Sequence, residues 1–491
     1  MTSLTGNSFI ERRWLIFLIV ALLFRGLYIE WRVAELRPAD EVGRWSFNTP
    51  DTHSYFDPVE RVLEGGEYKP DYRMPGIGVP YFLFRQVLGP VASRDAMVVL
   101  QWLLSGISVY LLALIALRIT GSKTVALTTY VIFLVSTFTS WHDTSLSTDS
   151  LAVSALIIHV FLLQRSIDER SQWKLLAAGL VFTWFIFLRP VASLLLFPAA
   201  LLLYLKWTGV RSIRPAVLFL LPFVLIDGAW TWRNWRSNHE LNLLTNEGVM
   251  PDDIATSTRG YLMRFVQGYG GDYNWWVPGA DIRWYGEWSG IGQTDDEGRK
   301  AAPPPDYAYV EGYTKDSLLA IGEKVRLMES GAMTPEDSLA AVADITSTVD
   351  RYTTLYRQKA PFNYHVMSRI RPIEYMVVQN GTEVLFPQSF GALPLWKKLF
   401  KLLQMLIYFF GLIVGGITAL VWLWNWRRSA DPLFIWIPLV AVYMVWIYPI
   451  GVRMGEWRYM VHIFPLLLMM AVIGSVALLS RFSKRGSVTS T

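Results

Sequence analysis

The stretch WLIFLIVALLFRGLYIEW, residues 14–31, decides the kind of fold this chain adopts. It is apolar apart from Arg25 and Glu30, and at about 1.5 Å of rise per residue some 20 such residues cross about 30 Å of hydrocarbon. It is longer than a signal-peptide core and no small-residue cleavage site follows it, so it reads as a retained membrane span. The same test along the chain marks further spans near 95–118, 124–141, 148–164, 173–189, 190–206, 215–232, 401–424, 432–450 and 459–480. The segment from Gly76 to Gly89 is too short to span; it reads as a re-entrant or interfacial helix, or as the start of a longer second span.

Composition agrees. With 53% hydrophobic and 17% charged residues among 491, the chain is too apolar for an ordinary soluble domain. A net charge of +5 does not call for nucleic acid, because basic residues at span ends account for it. The absence of cysteine excludes disulfides and thiolate metal sites. Tryptophans cluster near span ends, at Trp141, Trp207, Trp230 to Trp235 and Trp422 to Trp426, where an amphipathic ring suits the membrane interface.

Orientation follows from the lysines and arginines of the short loops. With the N-terminus inside, fifteen of them fall on one face, among them Arg12, Arg118, Arg165, Arg211 and Arg427, and three on the other: Arg189, Arg453 and Arg458. This places both termini in the cytoplasm, and the polar loop after the first span and the long loop from about Arg233 to Phe400 outside it. The three exceptional arginines run against the bias; each is either a phosphate ligand or an interfacial side chain reaching the headgroups. The long outer loop opens with a Trp-, Gly- and Asp-rich part, Tyr269 to Gly290, and continues with helical periodicity over Tyr307 to Tyr356, including a capping-type start at Thr334-Pro335-Glu336.

Three outward-facing places collect polar chemistry. The first outer loop reads PDTHSYFDPVERVLEGGEYKPDYRMPG over 50–76 and carries Asp51, His53, Tyr55, Asp57, Lys69 and Arg73. The second is the turn Trp141 to Asp149, and the third is GVRMGEWRYM over 451–460. By residue type alone Asp51 is a turn residue after Pro50 or an acid poised to take a proton. No phosphate-binding glycine loop, dinucleotide fingerprint or zinc-protease motif occurs. Gly411, Gly415 and Gly416 in one span suit close helix packing. His53 near Asp51 and Asp57 has no fixed metal-ligand spacing, and no metal or other cofactor is expected. Arg25, deep in the first span, is a candidate partner for Asp227 in the seventh, or equally a side chain snorkelling to the interface.

In this order and sidedness the pieces resemble the membrane-embedded glycosyltransferases of the GT-C class, in particular the branch with aminoarabinose transferases and protein mannosyltransferases. The pieces are Asp51 with Tyr55, Gly66-Glu67-Tyr68, Arg73-Met74-Pro75-Gly76, Asp149 opening the fourth span, Leu188-Arg189-Pro190, Trp232-Arg233-Asn234, and Arg458-Tyr459 with Pro465. The chain departs from protein mannosyltransferases at Thr52, where they carry glutamate, which tells against a protein acceptor.

The resemblance implies an all-α polytopic membrane protein of about 10 to 11 spans, a GT-C-like helix bundle with a large, partly helical extracytoplasmic loop domain. The expected parts are a membrane module over 1–232 with its first outer loop at 34–94, an outer domain over 233–400, and a C-terminal membrane module over 401–491. The implied setting is the bacterial inner membrane. The implied reaction transfers a sugar from a polyprenyl phosphate to a glycan, lipid or protein acceptor on the outer face, with inversion. Asp51 is then the general base and Asp149 a second acid, while Arg73, Arg458, Arg189 and Arg453 are phosphate ligands and Tyr55 and His53 substrate-side residues. A lipid-linked glycan ligase or polymerase, or a flippase for a lipid-linked sugar, is the alternative.

Overall fold

The computed structural model describes residues 7–36, 43–69, 73–207, 212–239, 241–244, 257–271, 304–429 and 431–488. The chain forms two compact units, the first of Met1–Asn246, Asn380–Val445 and Trp457–Thr491, the second of Glu247–Gln379 with Trp446–Glu456. Helices dominate both. Among the described residues the only strand-like pairings are isolated bridges, Phe47 to Ser145 and Val310 to Tyr313.

In the first unit, α1 (Asn7–Leu36) is followed by α2 (Thr52–Leu63), α3 (Gly78–Arg85) and α4 (Pro90–Thr120). Next come α5 (Lys123–Val135), the short α6 (Thr137–Ser140), α7 (Asp149–Glu169), α8 (Gln172–Leu188), α9 (Leu196–Lys206) and α10 (Arg214–Asn238). Helix α4 packs on α1, α5 and α7, and α8 packs on α7 and α10. Chain punctuation is local: Gly121 takes the left-handed conformation that ends α4 (φ 66°), and Ser122 and Ser171 cap α5 and α8 by accepting from Val125 N and Lys174 N. Helix α3 is separate from α4, so the Gly76 to Gly89 segment does not begin the second span.

Among the described residues six helices are long and apolar enough to cross a membrane, or seven if α5 and the segment Thr137–Thr144, bent from it by 43°, count as one broken span. Three more apolar helices, Gln172–Leu188, Pro190–Leu205 and Phe464–Ser480, are shorter. The expected count of about 10 to 11 spans is therefore met by length only in part. The arms on either side of the Arg189-Pro190 break, which the sequence marks as separate spans, are short as helices, the second opening with a 3-10 turn over Pro190–Leu195, and the described apolar part of the last helix is short as well.

The break at Ser136 exposes backbone groups that an apolar surround cannot solvate. The protein satisfies them itself. Arg25 donates to the carbonyls of Phe133 (2.9 Å) and Ser136 (3.3 Å), and Gln404 accepts from Thr137 N (2.9 Å) and donates to Val135 O (3.1 Å). This replaces the expected pairing of Arg25 with Asp227, whose carboxylate instead accepts from Leu244 N.

The unit closes with α11 (Leu395–Phe409), a π-turn over Phe410–Val414, α12 (Gly415–Trp424), α13 (Leu433–Ile447) and α14 (Phe464–Val488). The π-turn and α12 lie along α14, and a Cβ at Gly415 would collide with the backbone carbonyl of Leu467, whereas one at Gly416 meets nothing within 4 Å. Close packing thus explains Gly415 but not its neighbour.

The second unit is built from α15 (Thr258–Tyr269), α16 (Lys315–Glu329), α17 (Pro335–Lys359) and α18 (Ser368–Val378). Thr334 caps α17 by accepting from Asp337 N at 3.2 Å, with Pro335 in the first turn, as its sequence predicts. The core includes Leu262, Phe265, Leu318, Ile321 and Val349, with the rings of Tyr313 and Tyr352 stacked at 4.7 Å. The Trp- and Gly-rich stretch after residue 271 lies outside the described residues.

The glycine pair gives a direct check on the packing. Gly415→Ala is expected to lower stability by about 1–3 kcal/mol, because backbone must move. Gly416→Ala is expected to be neutral or slightly stabilising, and melting of the two purified variants in one detergent compares them.

Candidate active site

The site grows from the join between the first outer loop and the broken helix. Phe47 N donates to Thr144 O at 2.9 Å and Leu146 N donates to Phe47 O at 3.0 Å. Thr52 extends the join: its buried hydroxyl donates to Leu146 O (2.9 Å) and accepts from Thr49 N (2.7 Å). Arg32 of α1 donates to the hydroxyls of Thr144 and Ser145 and lies 3.8 Å from the centre of the Trp141 ring. Gln101 of α4 donates to the carbonyls of Asp143 and Ser145. Residues 47–52 and 141–149 are thereby one rigid piece.

Asp51 stands at the N-cap position of α2. Residues 51, 54 and 55 share one side of the first turn, and all meet Arg73. Its guanidinium donates to Asp51 Oδ1 (2.6 Å), Ser54 Oγ (3.1 Å) and Tyr55 OH (3.1 Å), and lies 4.7 Å from the centre of the Tyr55 ring. Arg458 donates to Asp51 Oδ2 at 2.8 Å from the short 3-10 turn Trp457–Met460. Each carboxylate oxygen thus holds one arginine, and the Asp51 side chain is 16% exposed. Burial pushes the Asp51 carboxyl up, but Arg458 and Arg73 outweigh it and hold it below its ordinary value of 3.8.

A second acid lies within electrostatic reach, since Asp149 acts on Asp51 as a repelling charge. Asp149 is the first residue of α7, where a negative charge suits the helix dipole. It accepts from Arg189 and from Ser147 Oγ (3.0 Å), and His142 Nδ1 lies 3.9 Å from it. Arg189 is set by the Leu188-Arg189-Pro190 turn. The Pro75-Gly76 turn packs on that corner: Trp184 donates to Gly76 O (2.9 Å), and a Cβ at Gly76 would collide with the backbone at Phe187.

The structure therefore brings together Asp51, Tyr55, Arg73, Arg458, Asp149 and Arg189. It does not bring His53 to them: on the opposite side of α2, His53 pairs with Asp57 at 3.5 Å, and its side chain is 69% exposed. Arg453 belongs to the second unit, where it lies over the Tyr364 ring. Among the described residues no group of three or more His, Cys, Asp or Glu side chains is arranged to hold a metal ion.

Two residues of the quoted motifs gain a place that sequence reasoning did not give them. His142 is buried between Asp149 and the Trp457 ring (centroids 5.4 Å apart), with Nε2 lacking a hydrogen-bond partner. Arg233 of α10 lies over the rings of Trp230 (5.0 Å) and Tyr68 (5.5 Å). It lines an open apolar cavity of about 710 Å³ with Pro75, Gly76, Leu83, Trp184 and Phe187. The cavity starts two residues after Arg73. Burial pushes the hydroxyl of Tyr68, which lies under Arg233 outside the cavity lining, up to about 12, against the pull of that arginine.

These features define an all-α, polytopic membrane protein with a carboxylate gripped by arginines beside an apolar groove. Residues 81–232, about a third of the chain, match the family model described as dolichyl-phosphate-mannose-protein mannosyltransferase. That match supports a membrane glycosyltransferase of the GT-C class. No curated protein matches the chain in sequence. Among solved structures, that of ArnT from Cupriavidus metallidurans in the apo state aligns with 12% identity over 93% of this chain and 77% of that one, at a TM-score of 0.34. At that score no residue is carried from one to the other.

The clamp sets a pH dependence. A carboxyl depressed on folding contributes stability that is complete above its unfolded value and is lost as pH falls through its folded value. Wild-type melting temperature is accordingly expected to hold from neutral pH down to about pH 5 and to fall below about pH 4, with Asp51→Asn lower at neutral pH and flatter in acid. Melting curves across that range check this; a parallel acid decline in Asp51→Asn would locate the titrating group elsewhere.

Proposed function

We propose that this protein transfers a sugar from a polyprenyl phosphate donor to an acceptor hydroxyl or amine on the extracytoplasmic face of the membrane. The observation that carries the reading is the double clamp on Asp51. Two arginines distant in sequence, Arg73 and Arg458, meet on one carboxylate. Arginine stays charged and presents a planar fork that suits phosphate oxygens as well as it suits a carboxylate.

On this reading the clamp is the resting arrangement. A carboxylate held by two cations is a weak base, because its proton affinity is low. When the donor phosphate enters, the guanidiniums turn to it, and Asp51, still buried but less compensated, gains basicity. The acceptor oxygen or nitrogen then attacks the anomeric carbon from the face opposite the lipid phosphate. The bond to the acceptor forms, the carbon–oxygen bond to phosphate breaks, the acceptor proton passes to Asp51, and the electron pair leaves on the phosphate. Arg73 and Arg458 take up that developing charge, and the configuration inverts.

Asp149 and Arg189 supply the second charged pair. Asp149 fixes Arg189, and through it the cationic wall behind the leaving group. The groove lined by Pro75, Trp184, Phe187 and Arg233 offers the apolar lining and the cation that an isoprenoid phosphate needs. The segment 233–400, between the membrane modules 1–232 and 401–491, is assigned to acceptor choice, which varies with outer loops.

Purified protein supplied with a polyprenyl-phosphate sugar and extracted acceptors tests the assignment. Asp51→Asn is expected to lower kcat by about 10²- to 10⁴-fold with donor binding retained. Full activity in that variant would remove Asp51 from the chemistry. Mass spectrometry of envelope glycolipids and glycoproteins from a deletion strain identifies the sugar and its acceptor; an unchanged profile would overturn the transferase reading.

A further inference from the structure

We infer that the second unit carries an anion site of its own, in which Arg369, Arg453 and Arg357, gathered round Tyr364, take a phosphate group borne by a saccharide or a lipid headgroup. This goes beyond the transferase reading and does not depend on it. Arg453 lies 4.5 Å from the centre of the Tyr364 ring and Arg357 lies 6.0 Å from it. Arg369 donates through Nη1 to the carbonyls of His365 (2.6 Å) and Tyr364 (3.4 Å). Those bonds fix its guanidinium and leave Nε and Nη2 of the fork for a ligand. Among the described residues none of the three makes an ion pair.

Two further observations show that the cluster is held in place. Arg453 has a left-handed backbone (φ 58°) just after the π-turn Tyr448–Val452. A side chain there costs about 1–2 kcal/mol relative to glycine, so Arg453 is held in a strained backbone position. Gly455, two residues on, is fixed against α18, because a Cβ there would collide with the Pro372 carbonyl. The short segment 446–456 therefore holds Arg453 at a set place beside Arg369.

Among the described residues no carboxylate pairs with any of the three. The Arg369 guanidinium is lowered first by burial and then by repulsion from Arg453. Neighbouring Arg371 differs: it is spent on structure, bonding Tyr269 O and Asn363 Oδ1 and stacking 3.7 Å from the Tyr307 ring centre. Like charges held close without a counter-ion favour a polyvalent anion, and the planar fork favours phosphate over carboxylate at equal charge. Tyr364 supplies an aromatic surface beside the anion, as a saccharide phosphate would use.

The test uses the full-length protein in phosphatidylcholine nanodiscs, with melting temperature followed during titration with inorganic phosphate. The expected result is saturable stabilisation whose midpoint moves about tenfold or more to higher concentration in Arg369→Gln/Arg453→Gln. It should not move in Arg351→Gln, a control on the exposed face of α17. If stabilisation that depends on Arg369 and Arg453 appears only when the nanodiscs contain phosphatidylglycerol, the source is a lipid headgroup and the site stands. A phosphate response kept by the double variant and lost in Arg73→Gln overturns the inference, as does the absence of any arginine-dependent response to either anion. Should the double variant fail to fold, Arg357→Gln at its exposed position is expected to shift the midpoint in the same direction by a smaller factor, and no shift overturns the site.

Discussion

Two backbone hydrogen bonds, Phe47 N to Thr144 O and Leu146 N to Phe47 O, hold the rest of the site in register. They join a loop between helices to a helix that has come apart, and each half would otherwise carry backbone groups with no partner. Water can satisfy such groups at a surface, but an apolar surround cannot, so the protein supplies side chains. Arg25, Arg32, Gln101 and Gln404, all buried, serve this purpose. The polar residues deep in this unit are thus the cost of breaking a helix, and the broken helix is what lets Asp149 start a new one beside Asp51.

How much of this was legible follows from which forces leave a trace in one dimension. Apolar runs and the lysine and arginine bias leave a strong one, so the all-α membrane architecture could be read directly. The bias also singled out Arg189 and Arg458, and the acid, tyrosine and arginine of the first loop do meet, because the 51, 54, 55 spacing is that of one helical turn. The same spacing turns His53 away, a point that helix periodicity contained but that proximity in sequence obscured. Span lengths were less legible: the helices on either side of the Arg189-Pro190 break, a break the sequence does mark, are shorter than a full span.

Other features had no sequence signal. The partner of Arg25 is a pair of carbonyls, and nothing in a sequence marks where a carbonyl will be left over. Asp227 looked like a partner because it carries charge, yet it is satisfied by a single backbone N–H. Arg453 was grouped with Arg458 because they lie five residues apart, while the chain between them passes from one compact unit to the other. Arg233 was visible only as part of a motif; its importance comes from the groove that α3, α8 and α10 form together.

The double clamp on Asp51 has a consequence for what the protein does when idle. A carboxylate free of cations would be ready to take a proton from an acceptor before any donor had bound. With both carboxylate oxygens occupied, the resting site has no such base to offer. On the proposed reading the base appears only once a phosphate has drawn the guanidiniums away, so donor occupancy precedes acceptor activation. The same residues would then impose the order of events, donor first and acceptor second, without a moving lid.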